Sequence, residues 1–323
     1  MKIIIAGGGV AAHEAAVAAR NTAPDAEIII CSGENIRPYR RPALSGLLKN
    51  GNPPDEKTFF IKPESFYADN RITLRLNSPV EAIGEKFVVL SDGSRESFDR
   101  LIIATGGKAC VPQLPAAPGV LIFTLREYMD LLKLQAFLPD CRQVAVIGGG
   151  VLALEIADSL LARNIQVTVL ERANSLFPGR LAPEDAAELL NRLNRHENLS
   201  VRCGENAAGI GRAGVITASG EVVPADAVIF AAGSAPRNIL AVEAGIAVNR
   251  GILVDEKMRS SAADIFAAGD VAEYAGNTFG LYLDAMNTGK IAGTNAAGGN
   301  AQFTPAARTP VRLMALGEKL VMP

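Results

Sequence analysis

Two short stretches of this chain place small residues at a spacing suited to cradling phosphate: Gly7-x-Gly9-x-x-Ala12 and Gly148-x-Gly150-x-x-Ala153. In such a turn the first glycine makes the bend and the second lets backbone approach a pyrophosphate. The small third residue lets the following helix pack on its strand. The phosphates then lie on a helix N-terminus, where free N–H groups and the dipole favour anions. An acid stands past the second strand of each unit, Glu34 after the first turn and Glu171 after the second, placed to accept hydrogen bonds from a ribose. One such turn can be merely conformational. Two complete copies point to two dinucleotides, and a protein that holds two usually passes electrons between them.

The elements that must position these residues follow from the apolar pattern. Residues 2–6 read as a buried strand, the helix runs from the glycine turn to about residue 20, and residues 27–30 form the next strand. The second copy has strand 143–147, helix 154–163 and strand 166–170. Each is followed by the same grammar. Strand 87–90, the Asp92-Gly93 turn and strand 99–104 lead into Thr105-Gly106; 221–223 and 227–230 lead into Ala231-Ala232-Gly233. Strands ending in small residues bring backbone close to a ligand. The fold class is α/β with two related Rossmann-type domains, and Pro112, Pro115 and Pro118 mark the crossing between them.

The bulk properties agree. A chain of 323 residues has room for two domains, and 32 basic against 34 acidic residues leave a net charge of −2, with no global positive field for nucleic acid. Apolar runs are short and interrupted, which predicts no membrane insertion. The N-terminal apolar stretch imitates a signal peptide, but its glycine run argues against one, and a cytoplasmic location is expected. Cys31, Cys110, Cys141 and Cys203 lie too far apart for a CxxC redox pair or paired zinc ligands, so they read as packing residues and no metal is expected. His13 and His196 have no partner visible in the sequence and are not assigned to catalysis.

With these motifs in hand the chain resembles the pyridine nucleotide-disulfide oxidoreductase superfamily of two-dinucleotide flavoprotein reductases, over residues 1 to about 300. The resemblance rests on Ala104-Thr105-Gly106, Ala231-Ala232-Gly233 and Ile265-Phe266-Ala267-Ala268-Gly269-Asp270. It implies an FAD domain of residues 1–111 and 244–300 with the NAD(P)H domain, 112–243, inserted into it. Residues 301–323 would be a remnant of a C-terminal interface domain that is largely absent. FAD would be held by Gly7, Gly9, Val10, Ala11, Ala12, Glu34, Arg41, Pro42, Val80, Ala104, Thr105, Gly106, Gly269 and Asp270, with Asp270 taking ribityl hydroxyls. NADH would be held by Gly148, Gly150, Val151, Leu152, Ala153, Glu155, Glu171 and Gly233, with Glu155 orienting the nicotinamide carboxamide. The plainer reading of Glu155 is a surface acid near a helix N-terminus.

Within the superfamily, Arg41-Pro42-Ala43-Leu44-Ser45 looks like the NADH:rubredoxin reductases and the flavin part of nitrite reductase large subunits. Relatives that use a redox-active cysteine carry it here, so thiol chemistry is not expected. Gly46 stands where several relatives have Lys. Arg41, or else Arg40, would lie against the isoalloxazine or the pyrophosphate; otherwise Arg37, Arg40 and Arg41 form a solvated loop. A helix over 282–297 would aim its N-terminus at the flavin. Glu171 favours NADH over NADPH, because a carboxylate pairs with a ribose 2′-OH and repels a 2′-phosphate. The expected activity is hydride transfer from NADH to FAD, then electron release to a carrier such as rubredoxin. The alternatives are an NADH oxidase or diaphorase, the flavin subunit of a nitrite-reductase-like complex with a partner reductase subunit, and a flavin- and NAD-binding redox sensor. A monomer or weak dimer is expected.

Overall fold

The computed structural model describes residues 1–51, 53–305 and 310–322. Its α-helices are α1 (Val10–Thr22), α2 (Leu44–Asn50), α3 (Ser65–Asp69), α4 (Tyr128–Phe137), α5 (Val151–Leu161), α6 (Pro183–Leu193), α7 (Ile239–Glu243) and α8 (Tyr282–Ala296). The chain divides into two compact units. The first comprises the described residues of Met1–Arg41, Pro54–Lys108 and Ser234–Thr309, and the second those of Pro42–Pro53, Ala109–Gly233 and Pro310–Pro323.

The first unit is built on a parallel sheet with the strand order Ile265–Ala267, Arg100–Ile103, Lys2–Ala6, Glu27–Cys31, Ile72–Arg75. Its central strands are apolar without alternation because both faces are covered. Ile3, Ile5, Ile28 and Ile30 point into one core with the alanines of α1 and with Ala285, Ile291, Ala292 and Ala296 of α8. Ile4, Ala6, Ile29 and Cys31 point into the other, against Val88, Leu90 and Leu240. The antiparallel strands Val80–Ile83, Phe87–Leu90 and Arg95–Ser97 cover that second face together with α7.

The second unit repeats the plan. Its parallel sheet runs Leu199–Cys203, Gln166–Glu171, Gln143–Ile147, Ala227–Phe230, Ile122–Thr124, and a three-stranded antiparallel sheet, Ala207–Gly211, Gly214–Thr217 and Val222–Pro224, closes one face. The repeat extends to single hydrogen bonds. Gly7 N–H donates to the Cys31 carbonyl at 2.9 Å and Gly148 N–H to that of Leu170 at 2.8 Å; Ala104 donates to Ala6 and Ala231 to Ile147, both at 2.8 Å.

The contact grouping puts two of its crossings at 108/109 and 233/234 rather than at 111/112 and 243/244. At the second of these crossings the reason is α7, whose Leu240 and Ala241 are buried in the first unit's core. Residues 42–53, which carry α2, group with the second unit. Of residues 301–323, the part described at the end is a hairpin, Val311–Ala315 with Glu318–Met322, that packs on α5; residues 306–309 and 323 lie outside the described residues.

Candidate functional site

In the first unit the glycine turn sits where three segments meet. Gly7 has φ +133°, a backbone state open to glycine, and a Cβ there would collide with the Ala104 carbonyl. That contact sets Ala104-Thr105-Gly106 beside the turn, with the Thr105 hydroxyl donating to the Arg237 carbonyl at 2.9 Å. Gly269, at the start of a 3-10 turn, donates its N–H to the Thr288 hydroxyl of α8 at 2.9 Å, and a Cβ on it would press on Ala11 and touch Ala285. Asp270 thereby stands by the first turns of α1 and α8. Gly9 caps α1; a Cβ on it would meet no atom within 4 Å, and α1 has neither a side-chain cap nor an acid in its first turn. Its first N–H groups are therefore available to a phosphate. Ala12 is fully buried where α1 meets the sheet.

Glu34 is already paired. Its carboxylate accepts from Arg41 at 2.9 Å and from the Tyr39 hydroxyl at 2.8 Å. Backbone bonds from Asn77 to the Glu34 carbonyl and from Ser78 to that of Ser32 bring Val80 into the same neighbourhood. Arg37 and Arg40 do not form a solvated loop. Arg37 lies over the Phe60 ring and pairs with Glu56, while the Arg40 guanidinium donates to the carbonyls of Lys57, Thr58 and Phe60. A cavity of about 770 Å³ opens one residue past Glu34, lined by Asn35, Arg37, Tyr67, Arg71 and Leu74, and it contains none of the candidate cofactor residues.

The second unit matches the first. Gly148 has φ +115° and no room for a Cβ beside the Ala231 carbonyl, and Gly150 caps α5 facing open space with no side-chain cap. The helix begins at Val151, three residues before the sequence reading of it, because its N-cap is the last glycine of the turn. Ala153 is fully buried. Glu171 ends its strand under the turn and accepts N–H bonds from Gly149 and Ala173. The equivalent level of the first unit holds Ser32, against which a Cβ on Gly8 would collide, so Glu34 stands two residues further along. Gly233, with φ +94°, accepts from the N–H of Cys110 at 3.0 Å.

Glu155 is no surface acid. It is half-buried on α5, burial pushes its pKa up, and the Ser45 hydroxyl donates to its Oε2 at 3.0 Å. Pro42 and Ser45 belong to this unit. Ser45 carries no role by sequence alone, where its one signal is its place in the Arg41–Ser45 segment. His13, without a visible partner in the sequence, is buried with its Nδ1 3.0 Å from the Tyr67 hydroxyl, and desolvation lowers its pKa to about 4. All four cysteines are free thiols. Burial pushes Cys31 and Cys141 up to about 11 and raises Cys203, which disfavours the reactive thiolate.

A model of the pyridine nucleotide-disulphide oxidoreductase family matches residues 1–299. The chain belongs to this family. Among relatives in the pyridine nucleotide-disulphide oxidoreductase family, rubredoxin-NAD(+) reductase of Pseudomonas putida is 33% identical over 279 residues, 84% of this chain and 72% of the relative. A nitric oxide reductase FlRd-NAD(+) reductase of Shigella flexneri is 28% identical across 99% of this chain and 83% of its own length. The solved NADH:rubredoxin oxidoreductase from Clostridium acetobutylicum superposes with a TM-score of 0.86 at 28% identity, covering 99% of this chain and 81% of that one. The protein is thus an enzyme of the flavoprotein reductase type, an FAD- and NAD(H)-dependent oxidoreductase related to the rubredoxin and ferredoxin reductase systems. Among the described residues, no helix is long and apolar enough to cross a membrane.

Proposed function

We propose that the first unit holds FAD, that the second holds NADH, and that the enzyme delivers electrons to a small carrier protein such as rubredoxin. The carrying observation is the doubled turn: Gly7 against the Ala104 carbonyl and Gly148 against that of Ala231, each opening an uncapped helix N-terminus. FAD, when bound, supplies a two-electron acceptor for the hydride of NADH and can return electrons singly. The chain's own work is to bind, orient and exclude.

In the first unit, the N–H groups of α1 receive the pyrophosphate, and the Glu34 carboxylate exchanges part of its Arg41 and Tyr39 pairing for a ribose. Asp270 would accept from ribityl hydroxyls, and the N-terminal dipole of α8 would favour negative charge on the ring. In the second unit, the α5 N–H groups take the other pyrophosphate. Glu171, pinned by the Gly149 and Ala173 N–H groups, meets the ribose 2′-OH and disfavours a 2′-phosphate. Glu155 receives the nicotinamide amide.

The test is NADH oxidation by the FAD-loaded protein under argon with an oxidised rubredoxin, a [2Fe–2S] ferredoxin or a quinone, and separately with oxygen. The reading predicts turnover with a carrier protein at least about tenfold faster than with oxygen. Oxygen or quinone as the faster acceptor would replace the carrier by the oxidase or diaphorase alternative.

A further inference from the structure

We propose that Ser45 is a positioning residue for nicotinamide capture: its hydroxyl holds the Glu155 carboxylate in the one orientation that presents Oε1 to the amide of the nicotinamide. The proposal rests on the reading of Glu155 given above. Ser45 is 6% exposed on α2 and donates to Glu155 Oε2 at 3.0 Å, a charge-assisted bond, while Oε1 has no protein partner among the described residues. A carboxylate side chain rotates freely about its last bond unless something fixes it. Here the fixing group comes from another helix.

That helix has independent ties to α5. The Ser159 hydroxyl donates to the Ser45 carbonyl at 2.7 Å, Lys49 pairs with Asp158 at 3.0 Å, and Arg163 donates to the Leu48 carbonyl at 3.2 Å. On its far side, Gln135 of α4 donates to the Leu47 carbonyl at 3.1 Å. The α2 backbone is therefore placed without the Ser45 hydroxyl, whose other acceptor within reach is the Pro42 carbonyl at 3.3 Å, so the shorter bond is the one to Glu155. The need for such a donor is physical. Burial and the neighbouring Asp158 both work against the charged form of Glu155, and the Ser45 hydrogen bond is the favourable contribution.

The experiment uses the FAD-loaded protein, with steady-state kinetics for NADH and, as a readout apart from turnover, the Kd of NAD+ by isothermal titration calorimetry. That Kd is expected to move with KM in each variant, and a Kd unmoved by Ser45→Ala would overturn the proposal. A hydrogen bond that orients the carboxamide equally in ground and transition states shows in KM rather than kcat. Ser45→Ala is expected to raise KM about tenfold, the loss of one hydrogen bond to a charged group, with kcat held within about twofold. Ser45→Thr keeps the hydroxyl and restores KM; Ser45→Val, of the same shape without it, behaves as alanine and serves if alanine is poorly tolerated. Gln135→Ala, which cuts another tie of α2 and leaves Glu155 and its neighbour Asp158 untouched, is expected to keep KM within about twofold.

In a Glu155→Ala background, Ser45→Ala should change KM no further. An unchanged KM in Glu155→Ala alone would sink the nicotinamide reading of Glu155 itself. If Glu155→Ala raises KM but Ser45→Ala does not, or if Ser45→Ala costs the same in both backgrounds, the positioning role of Ser45 is wrong and the earlier reading stands.

Discussion

His13 in the first unit and Ser45 in the second show how much each unit depends on pairs that are remote in sequence. The glycines and Glu171 stand out through spacing, because a phosphate cradle constrains adjacent positions, whereas Asp270 stands out only through the family resemblance. The partner of His13 is Tyr67, and that of Glu155 is Ser45, each brought in by packing of a separate helix. No local pattern encodes such a contact. The His13 environment has a measurable consequence for stability. The unfolded chain binds a proton near pH 6.5, whereas the folded protein, with the imidazole dehydrated, refuses it until about pH 4. Between those values the unfolded state carries more protons, so stability is held above pH 6.5 and falls as pH drops toward 4. For this one group the loss from pH 7.5 to 5 is about 2 kcal/mol. Urea unfolding at the two pH values should show His13→Gln losing less than the parent by about that amount; equal losses in both proteins would remove His13 from the account.

Secondary structure was largely written in local chemistry. Runs such as Lys2–Ala6 lack alternation because helices and small sheets cover both faces, and each glycine turn announces a helix. The boundaries shifted where a glycine served as N-cap, as at Gly150. What the sequence did not disclose was the grouping of α2 with the second unit, since it depends on side chains of α5 more than a hundred positions away. The crossing of α1 and α8 is a similar case. A Cβ on Gly293 of α8 would collide with backbone atoms of Ala15, and one on Gly289 with those of Ala11, so the helices touch through bare backbone. Alanine would gain about 1 kcal/mol in helix propensity, but the obstacle is backbone that cannot rotate away, and overpacking of about 1–3 kcal/mol or more outweighs the gain. Gly293→Ala should lower the melting temperature by roughly 5 °C, while Gly280→Ala, where the added carbon meets nothing within 4 Å, should leave it nearly unchanged. Similar melting curves for all three proteins would refute the tight crossing.

Taken together, the two units repeat one plan, a glycine turn closed by a backbone carbonyl and followed by an uncapped helix. The duplication is readable from the motifs because the same small-residue spacing recurs between a strand and a helix in both units. The difference between the copies is not, since it lies in what stands at the strand tip: Ser32 in one and Glu171 in the other. The proposal that one turn holds the hydride donor and the other its acceptor is the central claim. It is tested most directly by anaerobic titration of the FAD-loaded protein with NADH, and then NADPH, while the visible flavin band is followed. The account predicts bleaching complete at about one equivalent of NADH and much slower with NADPH, as expected for two-electron transfer and a carboxylate at the ribose. A protein that retains no flavin, or a flavin band that NADH leaves unbleached, would contradict it.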